Sequence, residues 1–378
     1  MESMWRGSDA EAMVAHYAAQ GVGRDLALRV YTTRLLGGDP RLVLHGGGNT
    51  SVKTRARDAF GDEVAVLCVK GSGWDMAAIE PAGLPAVRLE PLRRLQALDS
   101  LSDEDMVNAQ RQNLLDSAAP NPSVETLLHA FVPHTYVDHT HATAVLSLTD
   151  QADGRDRCAE VYGETMAVVP YIMPGFALAR AAAEAQARTP DAEGLILLKH
   201  GIFTFGASAE EAYARMIEKV SAAEKYLARG RRPVFASAKL PGGIAPVARV
   251  APVLRGLASE AIDAEEGLYR RMVLDFRGDE RVRDYVDGAD LARYSQVGVV
   301  TPDHTIRTKN TPLIVPTPQT SALDAFRDGA KAALDAYVAA YHAYFARNNA
   351  RVATPKTELD PMPRVVLVPG LGLFGLGP

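Results

Sequence analysis

The sequence predicts an α/β protein in which short apolar strands alternate with helices over the first 230 residues. Apolar and β-branched residues predict strands at Val64–Val69 and within 194–206, and apolar residues at helical spacing predict helices within 9–36 and 208–227. With 378 residues, of which 47% are hydrophobic, the chain is long enough for about two domains with a large core.

The composition excludes several classes of protein. The net charge is −5 and both signs are mixed along the chain, which does not suit a nucleic-acid-binding surface or a basic membrane patch. Two cysteines, Cys68 and Cys158, do not support a disulfide framework and favour a reducing compartment. The first residues lack the apolar core of a signal peptide, and no apolar run approaches membrane-spanning length. We therefore expect a soluble, cytoplasmic protein.

Two glycine-rich loops, each after a predicted strand, are candidates for phosphate binding. A predicted strand at 42–44 leads into Gly46–Gly48 and Asn49, and the strand Val64–Val69 leads into Lys70–Gly73. Backbone N–H groups and small polar side chains in such loops can surround an anion, although the Walker pattern is absent. Three consecutive glycines are equally well explained by an ordinary hairpin. The presence of two such loops favours a phosphorylated small molecule.

The segment 121–147 predicts a helix, a turn and a strand that carries two histidines. Asn121 is a suitable N-cap for the helix, and the composition of Tyr136–Leu148 predicts the strand. Residues two apart on a strand share a face, so His139 and His141 can converge on one divalent ion. Most such histidine pairs are incidental, and a third ligand is needed before a metal site is predicted.

His200 is the candidate for this third ligand. It lies where the apolar strand within 194–206 breaks at Gly201, between strands and loops. Three neutral imidazoles with an open coordination position are the ligand set of a catalytic zinc site. Glu125, in the helix before the two-histidine strand, is the nearest acidic candidate for proton transfer.

The region after residue 230 is less regular in pattern. Residues 231–255 are rich in Pro, Gly and Ala and predict a connector, and helices are predicted at 257–275 and 321–346. Between these helices, short strands are predicted around a group of polar residues, which are Asp303, His304, Arg307 and Lys309. For this group, a structural or interface role is favoured over anion binding.

The last residues contain a GxGxxG pattern, Gly370–Gly375, directly after a run of β-formers. Such a pattern begins the βαβ unit of dinucleotide-binding domains, although the chain carries no following helix to complete it. We interpret residues 361–378 as the start of a truncated Rossmann domain that cannot bind NAD by itself.

Five motifs in this order resemble the class II aldolase/adducin family, and the resemblance covers about residues 25–228. They are His45–Ser51, Lys70–Gly73, Pro122–Glu125, His139–His141 and Lys199–Gly201. The region after residue 230 is similar to that of a narrower group, the bifunctional rhamnulose-1-phosphate aldolase/alcohol (lactaldehyde) dehydrogenases, in which a short-chain dehydrogenase half follows the aldolase half.

The resemblance implies a role for each matched residue. It implies that Zn²⁺ or another divalent ion is held by His139, His141 and His200, and that Glu125 is the acid/base. The substrate phosphate would be bound by a set of small and polar residues: Gly48, Asn49, Ser72, Gly73 and Ser123. Val124 stands where related aldolases often have a serine.

The resemblance also implies a fold and an assembly. The expected fold is a three-layer α/β/α domain with a central, mainly antiparallel sheet over 1–230, commonly a homotetramer. Residues 231–360 would form the connector and a mostly helical extension, and 361–378 the truncated Rossmann segment.

The implied function is metal-dependent cleavage of a ketose 1-phosphate, with L-rhamnulose 1-phosphate as the expected substrate and dihydroxyacetone phosphate and L-lactaldehyde as products. The same domain serves sugar-phosphate 4-epimerases and a thioribulose-phosphate dehydratase, and both alternatives stay open. A non-catalytic adducin-like module is a third, against which the intact histidines and Glu125 argue. A truncated pseudo-enzyme is a fourth.

Overall fold

The computed structural model describes residues 1–229, 236–263, 265–352 and 355–377 of the chain. These residues form two compact units. The first comprises Met1–Arg231 together with Val300–Asp303, and the second comprises Arg232–Val299 and His304–Pro378. The first residues of the predicted connector over 231–255 lie outside the described residues.

The first unit is built on a seven-stranded sheet with the order β3-β2-β1-β4-β7-β6-β5. All neighbouring strands are antiparallel except β5 and β6, which are parallel. The strands are β1 (Asn49–Arg57), β2 (Glu63–Val69), β3 (Ala86–Arg88), β4 (Tyr136–Thr140), β5 (Met166–Val169), β6 (Gly194–Leu197) and β7 (Gly201–Gly206). The expectation of a mainly antiparallel central sheet is confirmed.

Helices cover both faces of this sheet. They are α1 (Gly7–Ala18), α2 (Arg24–Gly37), α3 (Leu89–Arg94), α4 (Asp103–Gln112), α5 (Thr126–Phe131), α6 (Thr143–Thr149), α7 (Gly154–Tyr162), α8 (Phe176–Arg188) and α9 (Ala209–Ala228). Alternate strand residues point to opposite faces. Phe203 and Phe205 therefore pack with α5 and α8, while Ile202 packs with α6 and α9. The α/β/α arrangement follows from this two-sided burial.

A fully buried ion pair joins helix α2 to the central strand β4. Arg29 Nη1 lies 2.6 Å from Asp138 Oδ1, and both side chains are completely buried. A buried charge is retained only where a partner compensates it, so each member of this pair requires the other. The pair fixes α2 beside the residue that precedes His139.

Some local predictions need correction. The predicted strand over Tyr136–Leu148 ends at Thr140, because the remaining residues form helix α6. Residues 42–44 do not form a strand, and the helix for which Asn121 was the predicted N-cap begins at Thr126. The predicted helix within 208–227 is confirmed, and at its N-cap the Ser208 side chain accepts a hydrogen bond from the Glu211 amide.

The second unit combines helices with a four-stranded sheet of order β10-β13-β12-β11 and a separate β8-β9 pair. Its strands are β8 (Glu260–Asp263), β9 (Leu268–Arg270), β10 (Val273–Arg277), β11 (Leu313–Ile314), β12 (Val365–Val368) and β13 (Gly372–Gly377). Its helices are α10 (Val247–Leu257), α11 (Glu280–Val286), α12 (Leu291–Tyr294), α13 (Pro302–Thr308, whose first two residues belong to the first unit) and α14 (Leu323–Asn349). The predicted helix at 321–346 is confirmed, whereas 257–275 is mainly β structure.

The interpretation of the C-terminal GxGxxG as a nucleotide-binding turn is wrong. Strand β12 turns at Gly370, and β13 returns antiparallel to it, with Val365 opposite Gly375. Strand β13 also pairs with β10, so these glycines complete the second unit's own sheet. A dinucleotide-binding turn would lead into a helix, and the glycines here belong to a hairpin. Residues 361–377 are therefore part of the second unit.

None of the described helices is both long enough and apolar enough to cross a membrane.

Candidate metal centre

The central strands bring the three predicted histidine ligands together. His139 lies on β4, His141 follows the end of that strand, and His200 lies in the turn between β6 and β7. Because β4 pairs with β7, the two segments meet at one place in the sheet, with Thr140 opposite Ile202. The candidate ligand atoms of the three imidazoles all lie within 4.8 Å of one another. The three histidines are buried.

The turn that carries His200 has the local features of a constrained site. Lys199 has a φ of 61°, a conformation that non-glycine residues seldom adopt. Gly201 has no room for a side chain: a Cβ there would lie 2.5 Å from the Thr140 carbonyl oxygen and 2.9 Å from His139 Cε1. The absence of a side chain at 201 therefore allows His139 to pack directly against the β7 backbone.

Hydrogen bonds fix the orientation of two of the imidazoles. His139 Nδ1 lies 3.0 Å from the Ile202 carbonyl oxygen, and His141 Nδ1 lies 2.7 Å from Asp303 Oδ1. A carbonyl or carboxylate oxygen only accepts, so each Nδ1 donates its proton and each Nε2 presents a lone pair. The Nε2 atoms of His139 and His141 face each other at 3.0 Å. His200 Nδ1 has no hydrogen-bond partner among the described residues.

The electrostatics of this cluster suit a cation. Burial lowers the pKa of His139 well below the usual histidine value, and its histidine neighbours add to this effect. Burial also lowers the pKa of His200, against the opposing influence of Glu125. Neutral imidazoles with lone pairs 3.0 Å apart repel each other unless a positive charge lies between them. The donor set therefore fits a divalent ion such as Zn²⁺.

The carboxylate of Glu125 completes the cluster. Glu125 stands at the N-cap position of α5, and its Oε2 and Oε1 lie 3.2 Å from His139 Nε2 and 3.3 Å from His200 Nε2. Oε1 is buried and receives no hydrogen bond from the described residues. A carboxylate in this position can share a metal ion with the imidazoles or exchange a proton with a group held beside it.

A chain of buried polar groups holds Glu125. Asn49 Nδ2 donates to Glu125 Oε2 at 2.7 Å and to Ser123 Oγ at 3.1 Å, while Asn49 Oδ1 lies 2.5 Å from His129 Nε2. His129 must donate from Nε2 to the amide oxygen, so its Nδ1 accepts from Ser51 Oγ at 2.8 Å. Burial lowers the pKa of His129 well below the usual range, in keeping with a neutral ring.

The predicted phosphate-binding residues lie at the start of β1 and the loop before it, and on two further loops that backbone hydrogen bonds join to each other. The Ser72 amide donates to the Asn121 carbonyl, and the Ser123 amide donates to the Lys70 carbonyl. Gly48 is buried with a φ of 58°, and a Cβ there would lie 2.8 Å from the His139 carbonyl oxygen. Asn49 and Ser123 contact each other beside Glu125, whereas Ser72 and Gly73 lie at the exposed edge of the adjoining loop.

Lys70 adds a cation to these loops. Its side chain is 2% exposed, and its Nζ lies 3.3 Å from the Gly46 carbonyl oxygen, so the two glycine-rich loops share one buried ammonium group. Sequence reasoning placed this lysine at a phosphate loop but did not predict that it reaches the other loop. A buried ammonium at this position can neutralise part of a phosphate charge.

Asp303 is the residue of the site that the sequence prediction assigned to a different role. A structural or interface role was expected for the polar group around it, and strands were expected there, but Asp303 is on helix α13 and contacts His141. Its 162-residue separation from His141 leaves no local pattern that could have revealed the pair. The remaining histidines are not part of the cluster; His134, for example, stacks on Phe205.

Comparison with known proteins agrees with this architecture. Residues 28–227 match the family model "Class II Aldolase and Adducin N-terminal domain", and residues 245–378 match "Aldolase class II, second domain". The chain is 34% identical over 356 residues to the "Uncharacterized oxidoreductase YuxG" of Bacillus subtilis (strain 168). The aligned region covers 92% of this chain and 50% of that protein. This chain thus spans about half the length of that curated relative.

A solved structure is similar to the first unit. The N-terminal class II aldolase domain of a conserved protein from Thermoplasma acidophilum is 42% identical, with a TM-score of 0.51, over 54% of this chain and 93% of that one. The family model for the N-terminal domain covers more than half of the chain, and the fold and the histidine cluster agree with it. The chain belongs to the class II aldolase/adducin family.

Proposed function

We propose that the chain is a metal-dependent aldolase that cleaves a ketose 1-phosphate, with L-rhamnulose 1-phosphate as the substrate and dihydroxyacetone phosphate and L-lactaldehyde as products. The observation that carries this proposal is the convergence of three imidazoles with the Glu125 carboxylate in a buried site. A scaffold module has no need of such a cluster. The choice of rhamnulose 1-phosphate rests on the similarity of the region after residue 230 to the bifunctional aldolase group.

Residues of the chain provide distinct parts of the proposed reaction. His139, His141 and His200 would hold the ion, which supplies Lewis acidity toward the ketone and the adjoining hydroxyl oxygen of the substrate. In cleavage, the C4 hydroxyl would give its proton to a general base, which the matched motifs do not assign to a residue. The C3–C4 bond would break, and its electron pair would pass to C3 as C4 becomes the aldehyde carbon. Glu125 then delivers a proton to C3, which gives dihydroxyacetone phosphate.

The loops around the cluster would fix the phosphate and thereby position the reacting carbons. We propose that Gly48, Asn49, Ser72, Gly73 and Ser123 bind it. Gly48 lies directly beside the histidine cluster, because its backbone approaches the His139 carbonyl more closely than a residue with a Cβ could. Ser72→Ala should raise KM for the sugar phosphate more than it lowers kcat, because it removes a contact that substrate and transition state share.

The test is turnover of L-rhamnulose 1-phosphate, with dihydroxyacetone phosphate measured by a coupled enzyme assay. Chelation should abolish the release of dihydroxyacetone phosphate, and added Zn²⁺ should restore it. Glu125→Gln should retain the metal and lose turnover. If the wild-type chain binds metal but releases no dihydroxyacetone phosphate from any ketose 1-phosphate, the proposal fails and epimerase or dehydratase chemistry takes its place.

We also propose that the chain assembles as a homotetramer, as is common in the family. Light scattering on the purified full chain tests this, since a monomer would have the mass of 40.6 kDa. A monomer with full turnover would show that assembly is not required for the reaction.

A further inference from the structure

Asp303 brings a buried negative charge to the metal centre. It belongs to the segment Val300–Asp303, which is part of the first unit, and it is 2% exposed. One carboxylate oxygen, Oδ1, accepts from His141 Nδ1 at 2.7 Å, and the other, Oδ2, accepts from the Leu44 amide at 2.9 Å. Both oxygens are therefore held by donors of the first unit.

The loop before β1 has room for this carboxylate only because residue 47 is glycine. A Cβ at Gly47 would lie 1.9 Å from Asp303 Oδ1, well inside van der Waals contact. The Leu44 amide lies in the same loop, so the loop supplies both the space and a hydrogen-bond donor. Two features of residues 44–47 thus match one side chain that lies far away in sequence.

The three candidate ligands differ in what supports them. His139 donates to a backbone carbonyl, and His200 Nδ1 has no partner among the described residues. Within the described part of the chain, His141 is the one candidate ligand whose Nδ1 donates to a carboxylate. A carboxylate acceptor fixes the tautomer of a ligating histidine and increases the electron density at its other nitrogen, which strengthens metal binding.

We propose that Asp303 is a positioning residue that holds His141 as a metal ligand. This inference rests on the metal site of the proposed function but does not depend on the substrate or the reaction. Asparagine cannot replace Asp303, because its amide has one acceptor oxygen and the site presents two N–H donors, those of His141 and Leu44. Either the Leu44 amide loses its acceptor, or the amide nitrogen faces His141 Nδ1 and favours the wrong tautomer.

The test measures the affinity of the metal-depleted full chain for Zn²⁺ alone, by competition with a chromophoric chelator. We expect Asp303→Asn and Asp303→Ala to weaken Zn²⁺ binding by about 10- to 100-fold, the usual effect of losing such an acceptor. Gly47→Ala should weaken it to a similar extent, since the added methyl displaces the carboxylate while every charged group is kept. Asp153→Asn, at an exposed residue paired with Arg157, is the matched control and should bind as the wild type does.

A second readout separates positioning from a general loss of stability. The visible absorption of the Co²⁺-loaded chain reports the number and geometry of the ligands. Asp303→Asn should change this spectrum, and circular dichroism of the same variant should match the wild type. If an Asp303 variant does not fold, Gly47→Ser replaces it in the Zn²⁺ and Co²⁺ measurements. The serine side chain would enter the space that the Asp303 carboxylate occupies.

The outcomes distinguish this inference from the proposed function. The inference is supported if the Asp303 variants bind Zn²⁺ more weakly than the wild type while Asp153→Asn binds it equally well. This holds whether or not the chain cleaves a sugar phosphate. Wild-type affinity and an unchanged Co²⁺ spectrum in Asp303→Asn would overturn it, even if the aldolase reaction is observed. If His141→Ala binds Zn²⁺ like the wild type, the metal site itself is wrong, and the inference falls with it.

Discussion

Asn49 offers a direct test of how the chain holds Glu125 in place. Its side-chain amide donates to Glu125 Oε2 and to Ser123, and it accepts from His129. Asn49→Ala removes all three contacts and leaves the three candidate histidine ligands in place. We therefore expect the variant to retain its metal and lose much of its turnover.

The magnitude follows from the charge of the acceptor. A hydrogen bond to a charged group contributes about 1.5–3 kcal/mol, and about 1.36 kcal/mol corresponds to a tenfold change in rate. If the contact with Glu125 is needed in the transition state, kcat/KM should fall by about 10- to 150-fold. His129→Leu should have a smaller effect, because it removes support from Asn49 but leaves the contact between Asn49 and Glu125.

The assay is the coupled release of dihydroxyacetone phosphate together with metal content by mass spectrometry on the same sample. Asn348→Ala serves as the matched control, since that amide lies exposed on α14 and donates to a carbonyl within the helix. A wild-type kcat/KM in Asn49→Ala would refute the role of this contact. If Asn49→Ala loses its metal together with its turnover, the claim that Asn49 acts only by holding Glu125 is refuted.

Three further predictions concern the metal, the core and pH. His141→Ala should lose metal and turnover together, whereas His342→Ala at an exposed site should keep both, as metal content and turnover would show. Arg29→Met should lower the free energy of unfolding by about 3–5 kcal/mol because it leaves its carboxylate partner buried and uncompensated. Arg24→Met, in an exposed pair on the same helix, should cost at most about 1 kcal/mol; equal denaturant midpoints for the two variants would contradict the argument. Burial holds the pKa of His129 well below 6.5, so its contribution to stability is present above pH 6.5 and is lost as the pH falls. Below pH 6.5, the free energy of unfolding of the metal-free chain, measured by denaturant titration, should fall less steeply in His129→Gln than in the wild type, by about 1.4 kcal/mol per pH unit. An unchanged slope would refute this role of His129.

The convergence of the three histidines could be predicted because their signals are local. His139 and His141 are two apart, and such residues point to the same side even though the strand ends between them at Thr140. His200 lies in the turn of a hairpin whose two strands are both apolar and buried. Pairing of β4 with β7 then joins these two local features. The position of His200 at the end of an apolar strand had already made it the candidate for the third ligand, and the family resemblance implied the same role.

The glycine-rich C-terminus shows where local patterns fail. A glycine at a positive φ serves a hairpin as well as a phosphate-binding turn, and Gly370 has a φ of 86° at the bend between β12 and β13. The spacing GxGxxG does not record whether the next residues form a helix or return as a strand. A strand far away in sequence determines the structure here, because β13 pairs with the edge of β10 and so continues the sheet.

Asp303 shows a different limit, because each half of its contact is uninformative alone. An aspartate near the start of a short helix is most simply explained as a helix N-terminal residue, and a glycine triplet is most simply explained as a turn. Only the folded chain shows that Gly47 leaves the space that the Asp303 carboxylate fills. Residue 303 lies within the segment that matches the second-domain family model, yet its carboxylate contacts the candidate metal ligand His141. Metal affinity in this chain should therefore depend on a residue that lies outside the segment 28–227 matched by the N-terminal family model, although it belongs to the first unit.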